Sequence, residues 1–178
     1  AAILDTIMQE LNIESITISD RALRDGLVYD YCYRHEYDNP DQGMSFRERR
    51  VVQLGRACDF HENHAQNVVK IALELFDSGV ASGLFHFEKW ERELLKYAAL
   101  LHDIGSFISY SNHHAHTYYL IRNGELLGFD QNEIAIIAAI SYFHRKTLPR
   151  KKHPEFAQLD KEGKKIVLFL CILLRMAE

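Results

Sequence analysis

Cysteine is scarce in this chain. Only Cys32, Cys58 and Cys171 occur among 178 residues. Their number is odd, their spacing wide, and no CxxC pair is present, which excludes a disulfide scaffold and a thiolate zinc finger. Buried thiols in a cytoplasmic protein are the reading that remains. No apolar run reaches the ~18 residues that a membrane-spanning helix needs, and the opening residues carry no signal-peptide pattern. Positive charge is not in excess either. Lys and Arg total 21 against 25 Asp and Glu, a formal charge of −4, so neither a nucleic-acid duplex nor a membrane is an expected partner. There is no P-loop and no Ser-His-Asp set. Internal repeats and low-complexity tracts are absent.

Histidine is abundant by contrast. Ten are present, and seven of them (His61, His64, His102, His113, His114, His116 and His144) lie within about a hundred residues, each in or beside a predicted helix. The length suits one sizeable domain, or one domain plus a piece of another. Hydrophobic content of 47% and charged content of 26% are those of a globular protein.

Periodicity divides the chain in two. Residues 1–11 place Ile3, Leu4, Ile7, Met8 and Leu11 on a helix face. Glu14–Ile18 alternates and is rich in β-branched residues, so it reads as a short strand. Ser19-Asp20 caps a predicted turn through Leu23 that ends at Gly26. A lone strand makes no sheet, so this opening reads as the tail of an α/β unit whose other strands lie upstream. Residues 31–43 are polar and broken by Asn39-Pro40 and Gly43, as a linker would be. From Ser45 onward the pattern is helical: 46–60, 63–76, 88–103, 111–123, 131–144 and 161–178. The last helix ends at Glu178 without a stop signal, and both ends read as cut points of a longer protein.

The sharpest local feature is His102-Asp103. It closes the apolar run Tyr97-Ala98-Ala99-Leu100-Leu101, with Gly105 as the expected helix stop. An unpaired polar group at a buried helix end costs several kcal/mol. A metal ion satisfies both side chains at once, and imidazole with carboxylate suits Mg, Mn, Fe, Ni or Zn. A capping histidine beside a salt-bridged aspartate is the alternative. The other histidines favour the metal. His64 sits early in its helix, His144 ends one, and Glu178 ends the last. His113 and His116 are three apart and can share an inward face, whereas His113 and His114 cannot. Helical bundles build metal sites in this way, with one ligand from each of several helices.

The order His64, His102-Asp103, a histidine-rich helix start and His144 resembles the HD superfamily of metal-dependent phosphohydrolases. Several further segments resemble the Ppx/GppA family of exopolyphosphatases and guanosine pentaphosphate phosphohydrolases. They are Ser19-Asp20-Arg21-Ala22-Leu23-Arg24-Asp25-Gly26, Ala98–Gly105, His113-His114-Ala115-His116, Leu120-Ile121-Arg122-Asn123, Gly128-Phe129 and Tyr142-Phe143-His144-Arg145-Lys146. The resemblance implies a mainly α fold. An HD-domain-like helical bundle over 45–178 would follow a linker (31–44) and the terminal helix-strand of an actin-like (ribonuclease H-like) α/β lobe (1–30). It implies hydrolysis of terminal phosphoanhydride bonds of inorganic polyphosphate or pppGpp, with catalytic residues upstream of this chain.

The same resemblance implies a divalent cofactor, Mg or Mn foremost with Fe, Ni or Zn as alternatives. Its ligands would be His64, His102, Asp103, His116, His144 and Glu178. His113 or His114 is an alternative to His116, and Glu178 stands where the HD pattern has Asp. A cytoplasmic homodimer is the expected form. The basic run Arg145, Lys146, Arg150, Lys151 and Lys152 directly follows His144. It is either a polyanion-binding surface or a solvated loop at a helix end, where the dipole favours cations. Three functions stay open: a C-terminal part that grips the polyanion, a metal phosphohydrolase in its own right, and a non-catalytic binding or dimerisation module.

Overall fold

The computed structural model describes residues 2–15, 23, 24, 26, 27, 43–145 and 147–178. The chain divides into two compact units, Ala1–Gln42 and Gly43–Glu178.

In the first unit, α1 (Ala2–Glu10) is the expected amphipathic helix, with Ile3, Leu4, Ile7 and Leu11 exposed. The expected strand is not formed at Glu14 and Ser15, and its remainder lies outside the described residues. Gly26 and Leu27 are helical, so Gly26 does not end its turn as expected. Of the predicted linker (31–44), only Gly43 and Met44 are described.

The second unit is helical throughout its regular structure among the described residues. Its helices are α2 (Phe46–Ala57), α3 (Glu62–Ala81), α4 (Lys89–Leu101), α5 (His113–Asn123), α6 (Gln131–Tyr142), α7 (Pro154–Ala157) and α8 (Lys161–Ala177). A 3-10 turn, Ile104–Phe107, follows α4. Local chemistry explains the starts. Ser45 accepts from Glu48 N, Asp130 accepts from Glu133 N while Glu133 Oε2 accepts from Asp130 N, and Asp160 accepts from Gly163 N. Each satisfies a backbone N–H that the first helical turn leaves unpaired.

The α6 helix is the centre. Ile134 through Ile140 are all buried, because α4, α5 and α8 pack around it and leave no face for water. The α4 helix also packs on α2, α3 and α8, and α3 packs on α8. Ala98 and Ala99 on α4 and Ala138 and Ala139 on α6 are fully buried, and these small side chains suit the close packing of the two helices.

Several boundaries differ from the sequence reading, and α2 and α6 end at Ala57 and Tyr142, short of the expected 60 and 144. The α3 helix runs five residues past Phe76. Asp77 is held by both Arg92 nitrogens at 2.7 and 2.8 Å. Gly79 is tolerated mid-helix because a Cβ there would lie 2.5 Å from the Phe85 ring. The true stop is Gly83, at φ +72. The α4 helix ends at Leu101, so Asp103 lies beyond it. The short α7 was not expected; Pro154 opens it at a position where no N–H is needed.

A buried carboxylate ties α2 to α6. Glu133 Oε1 accepts from Arg47 Nη2 at 2.6 Å and from Trp90 Nε1 at 2.9 Å. The Arg47 guanidinium also lies 4.2 Å from the Phe129 ring centroid. Glu133→Ala strands that guanidinium and the indole N–H. It should cost about 3 kcal/mol in denaturant unfolding, the low end for breaking a buried pair because Arg47 keeps some exposure.

Candidate metal centre

The HD pair sits where three helix C-termini meet. His102 is the C-cap of α4, His144 stands just past α6, and Glu178 follows α8. His64 comes from the first turn of α3, and His113 opens α5.

A clamp fixes the loop after α4. Thr117 Oγ1 donates to His102 O at 3.0 Å and accepts from Gly105 N at 2.9 Å. Gly105 is needed for closeness rather than as a helix stop. A Cβ there would lie 2.0 Å from His113 O and 2.3 Å from Thr117 N. The α5 helix can therefore press directly on the backbone that carries Asp103.

Three buried imidazoles share one tether. His102 Nδ1 donates to Ala99 O at 2.7 Å, His113 Nδ1 to Tyr110 O at 3.0 Å, and His144 Nδ1 to Ser141 O. A carbonyl can only accept, so Nδ1 carries the proton and, in the neutral ring, each Nε2 presents a lone pair. These lone pairs face inward. His113 Nε2 and His144 Nε2 stand 3.3 Å apart. Two facing lone pairs repel unless a cation or a proton lies between them.

The donors form two groups that share Asp103. In the first, His64, His102, Asp103 and Glu178 bring their ligand atoms within 4.8 Å of one another; in the second, Asp103, His113 and His144 do the same. Glu178 Oε2 lies 3.2 Å from His64 Nε2 and 3.0 Å from His102 Nε2. Asp103 Oδ2 lies 3.8 Å from His102 Nε2, and Asp103 Oδ1 lies 3.1 and 3.6 Å from His113 and His144. His102 Nε2 and Asp103 Oδ1 are buried and form no aligned hydrogen bond despite these short approaches. Donors that converge on a common point have this geometry. Around one ion, ligand atoms at about 2.1 Å lie about 3.0 Å apart in an octahedral shell and about 3.4 Å apart in a tetrahedral one. The nitrogen and oxygen donor set fits a divalent cation.

Of the sequence-predicted ligands, His64, His102, Asp103, His144 and Glu178 come together. His116 belongs to neither group, and His113 is the imidazole that α5 supplies. His113, Thr117 and Ile121 are four residues apart and all buried, so the inward face of α5 runs through them and turns His116 aside. The signal was present in Thr117 and Ile121.

Of the basic run, Arg145, Arg150, Lys151 and Lys152 are exposed, and Lys146 lies outside the described residues. Arg145 reaches a cavity shared with His113. Arg150 and Lys151-Lys152 enter the turn before α7, where Arg150 N donates to His153 Nδ1 at 3.0 Å.

Charge is distributed unevenly across the cluster. Burial disfavours a proton on His102, but Glu178, Asp103 and the Ala99 carbonyl outweigh it and raise its pKa above 6.5. His102 beside it holds Glu178 down to about 2, against the effect of burial. Burial, with the neighbouring imidazoles, pushes His144 down to about 4.

Residues 46–177 match the family model described as Ppx/GppA phosphatase, domain III. The chain belongs to the Ppx/GppA phosphatase family. A relative in Aeromonas salmonicida (strain A449), a guanosine-5'-triphosphate,3'-diphosphate pyrophosphatase, is 32% identical over 145 residues. That stretch covers 81% of this chain and 28% of the relative, so the chain spans little more than a quarter of the length of this curated relative. Among the described residues no helix is long and apolar enough to cross a membrane. The match covers every helix of the second unit, so the second donor group and His64, His102 and Asp103 of the first lie within domain III, and Glu178 directly follows it.

The shifted pair sets a pH signature for metal-stripped protein. Glu178 contributes stability that is present above its ordinary value of 4.5 and is lost as pH falls toward 2. His102 contributes stability that is present below 6.5 and is lost as pH rises through its raised value. The Tm difference between wild type and Glu178→Gln should therefore peak between about pH 4.5 and 6.5 and shrink on both sides. A difference that stays the same well below pH 4.5 and well above pH 6.5 would disprove the pairing. Gly105→Ala should cost about 3 kcal/mol or more in urea unfolding, since the methyl has no space.

Proposed function

We propose that this chain is the C-terminal helical part of an enzyme that hydrolyses terminal phosphoanhydride bonds of a guanosine polyphosphate or of inorganic polyphosphate, and that its domain III holds divalent cations. The named activity of the Aeromonas relative supports the substrate class. One observation carries the metal reading: His113 and His144, each tethered through Nδ1, aim their Nε2 atoms at each other across 3.3 Å beside the Asp103 carboxylate. A divalent cation held between these three groups would turn that repulsion into attraction.

His64, His102, Asp103 and Glu178 would hold one cation, and Asp103, His113 and His144 a second, with Asp103 shared between them. A bound divalent ion there would lower the pKa of a coordinated water and neutralise charge on phosphoryl oxygens. The chain's own groups do the rest. The Ala99, Tyr110 and Ser141 carbonyls orient the imidazoles. Thr117 fixes the Asp103 loop against α5. Ser141 Oγ donates to Ala98 O at 3.2 Å and so ties the His144 end of α6 to the His102 end of α4. Arg145 is the basic residue placed to meet a phosphate beside the second group. That Asp103 serves both groups favours a second reading as well, in which domain III is itself a two-metal phosphohydrolase.

Isothermal titration of the metal-stripped 178-residue chain with Mn2+ tests the centre. One or two ions per chain are expected, and His102→Ala should weaken binding at least about tenfold, as loss of a ligand does. An absence of Mn2+ binding would remove the proposal. Phosphate release from pppGpp that does not change on adding Mn2+ to the stripped chain would remove the second reading alone.

A further inference from the structure

Two cavities flank the donor cluster, and their chemistry is opposed. The first has a volume of about 350 Å³, with Phe60, Leu100, Ile104 and Phe107 among its walls. His64, His102 and Asp103 of the donor cluster also line it. Among the described residues its lining includes the carboxylates of Asp59 and Asp103 but no Lys or Arg. The second, about 340 Å³, is lined by Tyr110, His113, His114 and Arg145 together with Ser111 and Asn112. The two adjoin through the cluster, because His113 of the second lies 3.1 Å from Asp103 of the first.

A phosphate seated in the first cavity would face two carboxylates with no guanidinium or ammonium to offset them. A flat apolar group meets no such cost. It would cover aromatic surface that is now open to water, since Phe107 is 61% exposed. Ser106 and Asp59 line the same cavity and can accept hydrogen bonds from ring or exocyclic N–H groups. The second cavity offers the reverse. Its Arg145 guanidinium is always charged and is the residue type that binds phosphate oxygens in pairs.

We propose that the cluster seats a nucleotide in one direction, with its base against Phe60 and Phe107 and its phosphates across the donors toward Arg145. This deepens the metal-centre reading and rests on it. It makes Phe107 a specificity-determining residue that favours ligands carrying a base. Inorganic polyphosphate has no group to fill the first cavity.

The test uses the 178-residue chain in excess Mn2+, with GDP and pyrophosphate as probes that share a diphosphate and differ in the base. GDP should bind at least about tenfold more tightly by titration calorimetry, in line with base stacking on an aromatic side chain. Phe107→Ala should remove most of that advantage and leave pyrophosphate binding unchanged. Arg145→Ala should weaken both probes. Both side chains are exposed, and circular dichroism verifies that the variants fold. Equal binding of the two probes by wild type, or an equal loss of both in Phe107→Ala, overturns the proposal. A parallel Mn2+ titration without nucleotide separates the two failures. Absence of Mn2+ binding removes the metal centre itself, whereas normal Mn2+ binding with GDP indifferent to Phe107 removes only the seating.

Discussion

One hydroxyl holds the two halves of the donor set in register. Thr117 Oγ1 receives the Gly105 N–H and gives its own proton to His102 O. Both contacts are to backbone, and Thr117 is fully buried, so neither yields to solvent. Because Gly105 has no Cβ, α5 approaches the loop at a distance no other residue would allow. His113 is one helical turn before Thr117 on the same face. Its position beside Asp103 thus follows from the clamp rather than from any contact of its own. Asp103, between His102 and Gly105, is fixed in the same way. The geometry that joins the two donor groups is therefore set by backbone packing, which is stiffer than side-chain pairing.

The tethers add a second constraint. Each of the three buried histidines sits three residues after the carbonyl that holds its Nδ1. The residues between are helical or turn-like, so ring orientation is set by local backbone. Orientation then dictates charge. With Nδ1–H committed, a ring can take a positive charge only at Nε2, and all three Nε2 atoms face the same small region. His102 tolerates a proton there because Glu178 and Asp103 are beside it, whereas His144, buried and next to other imidazoles, resists one. Protons and cations compete for the same atoms.

The helical architecture was legible because the α2–α6 and α8 segments carry strong three-to-four periodicity. The His102-Asp103 pair was legible because a polar dipeptide at the end of the buried run 94–101 needs a partner. What could not be read was direction. His113, His114 and His116 all lie within one helical turn, and which of them faces inward depends on the axis of α5 against the Gly105 loop. That contact comes from a glycine's lack of a side chain, not from any pattern in α5. Gly105 itself was read as a helix stop, since sequence does not distinguish a glycine needed for its backbone angles from one needed for close approach. The α3 boundary was missed for a related reason. Asp77-Ser78-Gly79 reads as a break until Arg92 and Phe85 are seen to hold it. Glu178 was legible only as a position in a pattern, and the fold gives it a reason, because it reaches both His64 and His102.

The placement of the cluster also explains how a stable core and a charged site coexist in one small unit. Ile134–Ile140 and Leu94, Leu95 and Ala98–Leu101 fill the middle of the bundle with aliphatic side chains. Apart from Glu133 with Arg47 and Trp90 at the other end of α6, the buried polar groups of this core gather where α4, α6 and α8 end. A helix C-terminus carries partial negative charge from its unpaired carbonyls, and three such ends converge here beside two carboxylates. The field at that rim favours cations and opposes anions. Two helix N-termini, with positive dipole ends, face the cluster as well: α3 at His64 and α5 at His113. The Glu178 carboxylate stands on the His64 side, and the Arg145 guanidinium shares a cavity with His113. Side-chain charge therefore grows more favourable to anions from the Glu178 side of the cluster to the His113 side.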